Sequence, residues 1–148
     1  MSHNNIGEVI DLFISIKDDP KRLNTEVLHV NSDGVLKDKF YSKDKNRAIL
    51  ITSLYSYELA KNSGINMPYG SLGENIIIDY NIYNLLPGDR FKISDITFEI
   101  TQNCTLCNGL SKVNAQLPKL LKDGRGVFVK AITEGYIQKG NKVSLLKN

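Results

Sequence analysis

Long apolar runs are missing from this sequence: the longest, Ala48-Ile49-Leu50-Ile51 and Ile76-Ile77-Ile78, are strand-sized, far short of the roughly 20 residues that a bilayer-spanning helix needs. A chain that crosses a membrane is therefore not expected. The first residues, Met1-Ser2-His3-Asn4-Asn5, carry no basic region and lead into no continuous apolar stretch, so no secretory signal is expected and a cytoplasmic home follows. Neither charge sign dominates: 19 Lys plus Arg against 16 Asp plus Glu leave a net +3. The charges are spread along the chain rather than gathered into a stripe, which argues against nucleic acid as the partner. Cysteine is scarce, with only Cys104 and Cys107 present. Two thiols cannot hold a four-thiolate iron-sulfur cluster, and no flavin or haem signature is visible. Structural zinc takes about four ligands, and too few are available, because His3 lies at the terminus and His29 falls in a strand-like run. In a reducing compartment a cysteine pair this close reads as chemistry rather than as a structural staple.

What is present is ordinary in bulk. Hydrophobic residues at 41% and charged residues at 24% of 148 are near the averages of soluble globular domains. The length suits one domain over residues 1–148, burying roughly 70% of its unfolded surface. Apolar periodicity is mostly that of short strands. Ile6, Val9, Ile10, Leu12, Ile14 and Ile16 mark a first one, and Val27, Leu28 and Val30 a second. Ile96, Phe98 and Ile100 alternate with Thr97, Glu99 and Thr101, the pattern of a strand with one buried face. Turn residues at Pro87-Gly88-Asp89 and Ser94-Asp95 make residues 89–101 a hairpin. Gly126 to Ile132 and Lys142 to Leu146 read as two closing strands.

Helical signal is thin. Ser53 is placed to cap a helix running to Lys61, with Gly64 to stop it. A second helix is expected from Leu110 towards Leu121, broken or restarted by Pro118. Many short strands, few helices and no strand-helix alternation predict a mainly β fold, an antiparallel barrel or sandwich with one or two short helices.

Three features carry chemistry. Residues 101–109, Thr-Gln-Asn-Cys-Thr-Leu-Cys-Asn-Gly, form a strand-exit loop, and a thiol there, close to a helix N-terminus, would feel a positive dipole that favours thiolate. Nucleophilic or sulfur-carrying chemistry competes with a plain reading as small buried residues. A thioredoxin-like redox pair lacks its strand-helix-strand setting. Gly70-Ser71-Leu72-Gly73-Glu74-Asn75 places two glycines three apart before Ile76-Ile77-Ile78, either a close approach to a ligand or an ordinary glycine turn. Arginine is the scarcer cation, Arg22, Arg47, Arg90 and Arg125 against 15 lysines. Arg47 and Arg125, the latter between Gly124 and Gly126, are candidates for an anion site or else surface ion pairs.

In order, these segments resemble the MOSC domain family, found at the C-terminus of molybdenum cofactor sulfurases and in small stand-alone bacterial proteins. The resemblance covers nearly the whole chain. Gly34 to Phe40 is similar to the family's early Gly-leu-x-Gly-Asp segment, with Lys37 where a glycine is usual and Tyr41 near a position often held by histidine. Arg47-Ala48-Ile49-Leu50-Ile51 followed by Glu58 resembles the family's arginine-led strand and glutamate-bearing helix, and Gly70 to Asn75 its Gly-x-x-Gly-Glu-Asn. Gly88-Asp89 resembles the turn before the hairpin, Thr101-Gln102 with Cys107 the strand exit ending in the family's cysteine, and Gly124-Arg125-Gly126-Val127 the late glycine-rich turn. Asn103, Cys104 and Leu106 replace a Pro-Arg-x-Pro pattern.

The resemblance implies a MOSC-type β-barrel that handles sulfur or binds the molybdenum cofactor, as a sulfur transferase or as a component of a molybdenum-dependent oxidoreductase. Cys107 is the matched thiol, a persulfide carrier or a molybdenum ligand, and Cys104 an added thiol able to resolve it. Arg47, Gly73, Glu74, Asn75, Arg125 and Asp38 would surround a phosphorylated pterin. Pyridoxal phosphate enters only through a separate cysteine desulfurase partner, since the chain has no room for that domain, and a reductase partner would supply electrons. A non-catalytic binding module and a Cys104/Cys107 thiol-disulfide switch are the alternatives.

Overall fold

Branched aliphatic side chains build most of the elements in the computed structural model, which describes residues 4–19, 22–104, 116–121 and 124–146. The strands are β1 (Asn4–Ser15), β2 (Arg22–Asn24), β3 (Val27–Asn31), β4 (Gly34–Val35), β5 (Ile49–Ser53), β6 (Ile76–Ile78), β7 (Arg90–Ile93), β8 (Ile96–Asn103), β9 (Val127–Ala131), β10 (Gly135–Gln138) and β11 (Lys142–Leu145). The helices are α1 (Leu54–Asn62) and α2 (Leu117–Leu120), with a 3-10 turn at Ile82–Asn84.

Seven strands close on themselves in the order β11-β7-β8-β9-β5-β6-β1, with β1 pairing back to β11. β2 extends β1 at the edge, and β10-β3-β4 form a separate small sheet. The alternation expected over residues 96–101 is realised in β8, where Ile96, Phe98 and Ile100 are buried and the residues between are half-buried. Phe98 stacks on Phe91 of β7 with ring centroids 5.5 Å apart. These side chains join Leu12, Val30, Ile49, Ile51, Ile76, Ile78, Val127, Val129 and Val143 inside the barrel.

β6 does not alternate, because both its faces are covered. Ile76 and Ile78 point into the barrel, whereas Ile77 joins a second core with Phe13, Tyr57, Ala60, Ile65, Met67, Leu72 and Leu121 beneath α1. Each fully buried isoleucine contributes about 1.5–3 kcal/mol. The same crossover makes β5 and β6 parallel, a departure from the all-antiparallel barrel expected, since α1 carries the chain back to the end from which β5 started.

α1 starts and stops where the sequence indicated. Ser53 caps it by accepting a hydrogen bond from the Tyr55 N–H at 3.1 Å, and Gly64 follows with φ of 80°. Of the second helix expected from Leu110, only Leu117–Leu120 falls among the described residues. β9 begins at Val127 rather than Gly126, whose φ is 132° and whose missing Cβ would sit 3.1 Å from the Ile51 carbonyl oxygen. β2, β4 and β10, of two to four residues, are too short to show a period in sequence. Among the described residues, no helix is long and apolar enough to cross a membrane.

Candidate functional site

The glycine-rich segment places Asn75 one residue before β6, between β5 and β1. Its backbone N–H donates to the Leu50 carbonyl at 2.9 Å, and its carbonyl accepts from the Phe13 N–H at 2.8 Å. Its side chain repeats the pattern: Oδ1 accepts from the Leu50 N–H at 3.1 Å, and Nδ2 donates to the Phe13 carbonyl at 3.2 Å. An asparagine here therefore bonds two strands twice over. Nδ2 also reaches Asp38 Oδ1 at 3.3 Å. Asp38, buried in the turn after β4, accepts the Ser15 N–H on Oδ1 at 2.6 Å and the Phe40 N–H on Oδ2 at 3.1 Å.

Glu74 is fully buried. Its Oε2 accepts from Thr52 Oγ1 at 2.6 Å and from the Tyr57 hydroxyl, which itself accepts from the Gly70 N–H at 3.1 Å. Arg22 of β2 lies over Gly73 and donates from Nη1 to the Glu74 main-chain carbonyl at 3.1 Å. Burial pushes the Glu74 carboxyl above the ordinary carboxylate range, against the opposing pull of the Thr52 and Tyr57 hydrogen bonds and the Arg22 charge. Burial also pushes the Tyr57 phenol up, helped by the adjacent Glu74 carboxyl, and holds Arg22 below its usual value. Asp38, Gly73, Glu74 and Asn75 are thus brought together, but as an internal network facing away from solvent.

The other candidates gather where β8 leaves the barrel and β9 begins. The Cys104 N–H donates to the Gly126 carbonyl at 2.9 Å, which ties the exit of β8 to the Gly124-Arg125-Gly126 turn. Cys104 is buried and Arg125 half-buried. From the turn before β5, the exposed Arg47 guanidinium reaches β9 and lies 5.1 Å from the centre of the Phe128 ring, a cation-π contact. Cys107 lies outside the described residues. His29 stacks on Tyr136 and meets Glu134 at 2.6 Å on the small sheet. Among the described residues, no group of three or more His, Cys, Asp or Glu is arranged to hold a metal ion.

A third group bridges the rim and the interior. Ser56 Oγ donates to the Gly124 carbonyl, so its contact with the Tyr83 hydroxyl at 2.6 Å uses the phenol proton. Tyr83 also accepts from the Ser53 N–H at 2.9 Å. Burial pushes Tyr83 up to about 12, and the neighbouring Glu74 carboxyl and Cys104 thiol add to it. Arg22, Thr52, Tyr57, Ser56 and Tyr83 were not singled out by sequence. Arg22 alone carried a signal, as one of four arginines, but its partner stands 52 positions away.

The MOSC domain family model matches residues 29–144. The chain belongs to the MOSC domain family. No curated protein matches it. Among solved structures, this MOSC barrel is similar to the YuaD protein from Bacillus subtilis, with a TM-score of 0.80 at 14% identity over 99% of this chain and 100% of that one. YiiM from Geobacillus stearothermophilus gives 0.66 at 14% identity, over 99% and 76% of the two chains. YiiM from Escherichia coli gives 0.64 at 17%, over 95% and 70%. At such identities the likeness is one of fold. The MOSC match includes the Gly73-Glu74-Asn75 segment and the β8–β9 rim, whereas Phe13, Ser15 and Arg22 of the network lie before it.

Proposed function

We propose that this MOSC protein binds the molybdenum cofactor or a related phosphorylated pterin at the rim between β8 and β9, and uses the Cys107 thiol as a sulfur carrier or metal ligand. The observation that supports it most is the 2.9 Å bond from the Cys104 N–H to the Gly126 carbonyl. It joins the strand exit that leads, three residues on, to Cys107 with the turn that carries Arg125. The donor set suits a phosphorylated ligand: Arg47 offers a fixed planar fork on Phe128, and Arg125 adds a second between two glycines. Glu74, Asn75, Asp38 and Gly73 then act by holding the backbone of β1, β5 and β6 rather than by touching the ligand. When bound, the cofactor would supply a thiolate-accepting metal centre.

In the carrier role, the Cys107 thiolate attacks the terminal sulfur of a persulfide on a partner cysteine desulfurase. The partner's S–S bond breaks, its thiolate leaves, and Cys107 keeps the sulfur. The pyridoxal phosphate belongs to that partner, and release of the sulfur calls on an external reductant. The test incubates the reduced protein with a cysteine desulfurase and cysteine, then locates added sulfur by peptide mass spectrometry, with Cys107→Ser as control. Cofactor retention is measured alongside for wild type and Arg47→Ala/Arg125→Ala. Sulfur on Cys107, or retention that the arginine pair abolishes, is expected. Absence of both, on a thiol shown to be alkylated readily, leaves a plain interaction module and overturns the reading.

A further inference from the structure

The interior around Glu74 holds two carboxyl groups and one guanidinium. The groups facing Glu74 are Arg22 from β2, Thr52 from β5, Tyr57 from α1 and Tyr83 from the 3-10 turn, with Asp38 from the turn after β4 acting on the same Arg22. Asp38 is provided for as an anion, because three N–H groups, from Ser15, Phe40 and the Asn75 carboxamide, point at its two oxygens. Glu74 is not. Its side-chain donors are both hydroxyls on Oε2, its own backbone N–H being the one other group that favours the anion, while Oε1 is sealed from solvent and has no hydrogen-bond partner among the described residues. Arg22 spends its Nη1 bond on the Glu74 carbonyl, not on the carboxyl. An unsolvated anionic oxygen with no donor is far costlier to bury than a neutral acid.

We propose that Glu74 is held as a neutral carboxylic acid with its proton on Oε1, and that retaining this proton makes the fold weaken as pH rises. Ionisation breaks the O–H bond on Oε1 and passes the proton to solvent. Burial drives the Glu74 value upward, so between the ordinary carboxylate range and that value the folded protein holds a proton that the unfolded chain has released. Stability is complete below this interval and is lost as pH rises through it. The inference concerns the interior and does not depend on what the rim binds.

The test uses full-length wild type and Glu74→Gln. Isotope-edited infrared spectra of protein labelled at the glutamate carboxyl carbons should show, at neutral pH, one protonated carboxyl band that Glu74→Gln removes. The other glutamates, Glu8, Glu26, Glu58, Glu99 and Glu134, are exposed or half-buried. From about pH 5 to about pH 9 the wild-type melting temperature should fall by several degrees relative to Glu74→Gln. A folded wild type with no such band, or two melting profiles that run parallel, overturns the proposal. If Glu74→Gln fails to fold, the wild-type spectrum decides alone.

Discussion

Lys37 holds a left-handed backbone, with φ of 72°, at a position where the resemblance led one to look for glycine. A side chain with a Cβ pays about 1–2 kcal/mol for that conformation, and glycine gives back part of the difference through its freer unfolded chain. Lys37→Gly is therefore expected to raise stability by about 0.5–1 kcal/mol, read as a higher denaturant midpoint at unchanged slope; a lower midpoint would refute the strain argument. The lysine side chain is exposed, so little packing is at stake. Single positions were legible where they broke a local pattern, as Gly34 and Lys37 do. They were not legible where their meaning depends on a distant partner: nothing near Arg22 in sequence announces Glu74, and nothing near Tyr83 announces Ser56.

Elements were legible in proportion to how fully their burial imprints a period. β8 has one buried face and could be read directly, and the unbroken apolar runs of β5 and β6 mark strands covered on both sides. The parallel pairing of those two could not be read, because apolar runs carry no direction. The rim was half legible: Arg125 was noticed for its flanking glycines, whereas its tie to Cys104 through Gly126 comes from the antiparallel register of β8 and β9. α1 has one side-chain cap, at its N-terminus. Replacing Ser53 by alanine removes the acceptor for the Tyr55 N–H and is expected to lower stability by about 1 kcal/mol, with Ser53→Thr retaining most of it. Chemical denaturation of the three proteins checks this, and an Ser53→Ala midpoint equal to wild type would show that α1 is held by its second core alone.

The molecule as a whole depends on a seam. β11 lies between β7 and β1, and Val143 is part of the barrel core. A chain ending at residue 140 would leave both neighbours with unpaired edges and a gap in the core. It is expected to lose its cooperative thermal transition by circular dichroism; a retained sharp transition would mean that the remaining strands close without it. The network around Asn75 and Glu74 lies on the other flank of β1, stitching it to β5.

The seam also sets a timetable. Asn4 pairs with Leu145, and Glu8 with Lys142, so β1, made before the other ten strands, waits for nearly all of them. At ordinary translation speeds that wait is on the order of 10 s, during which one edge of β1, with Val9 and Leu12 beside it, stays open to any passing strand.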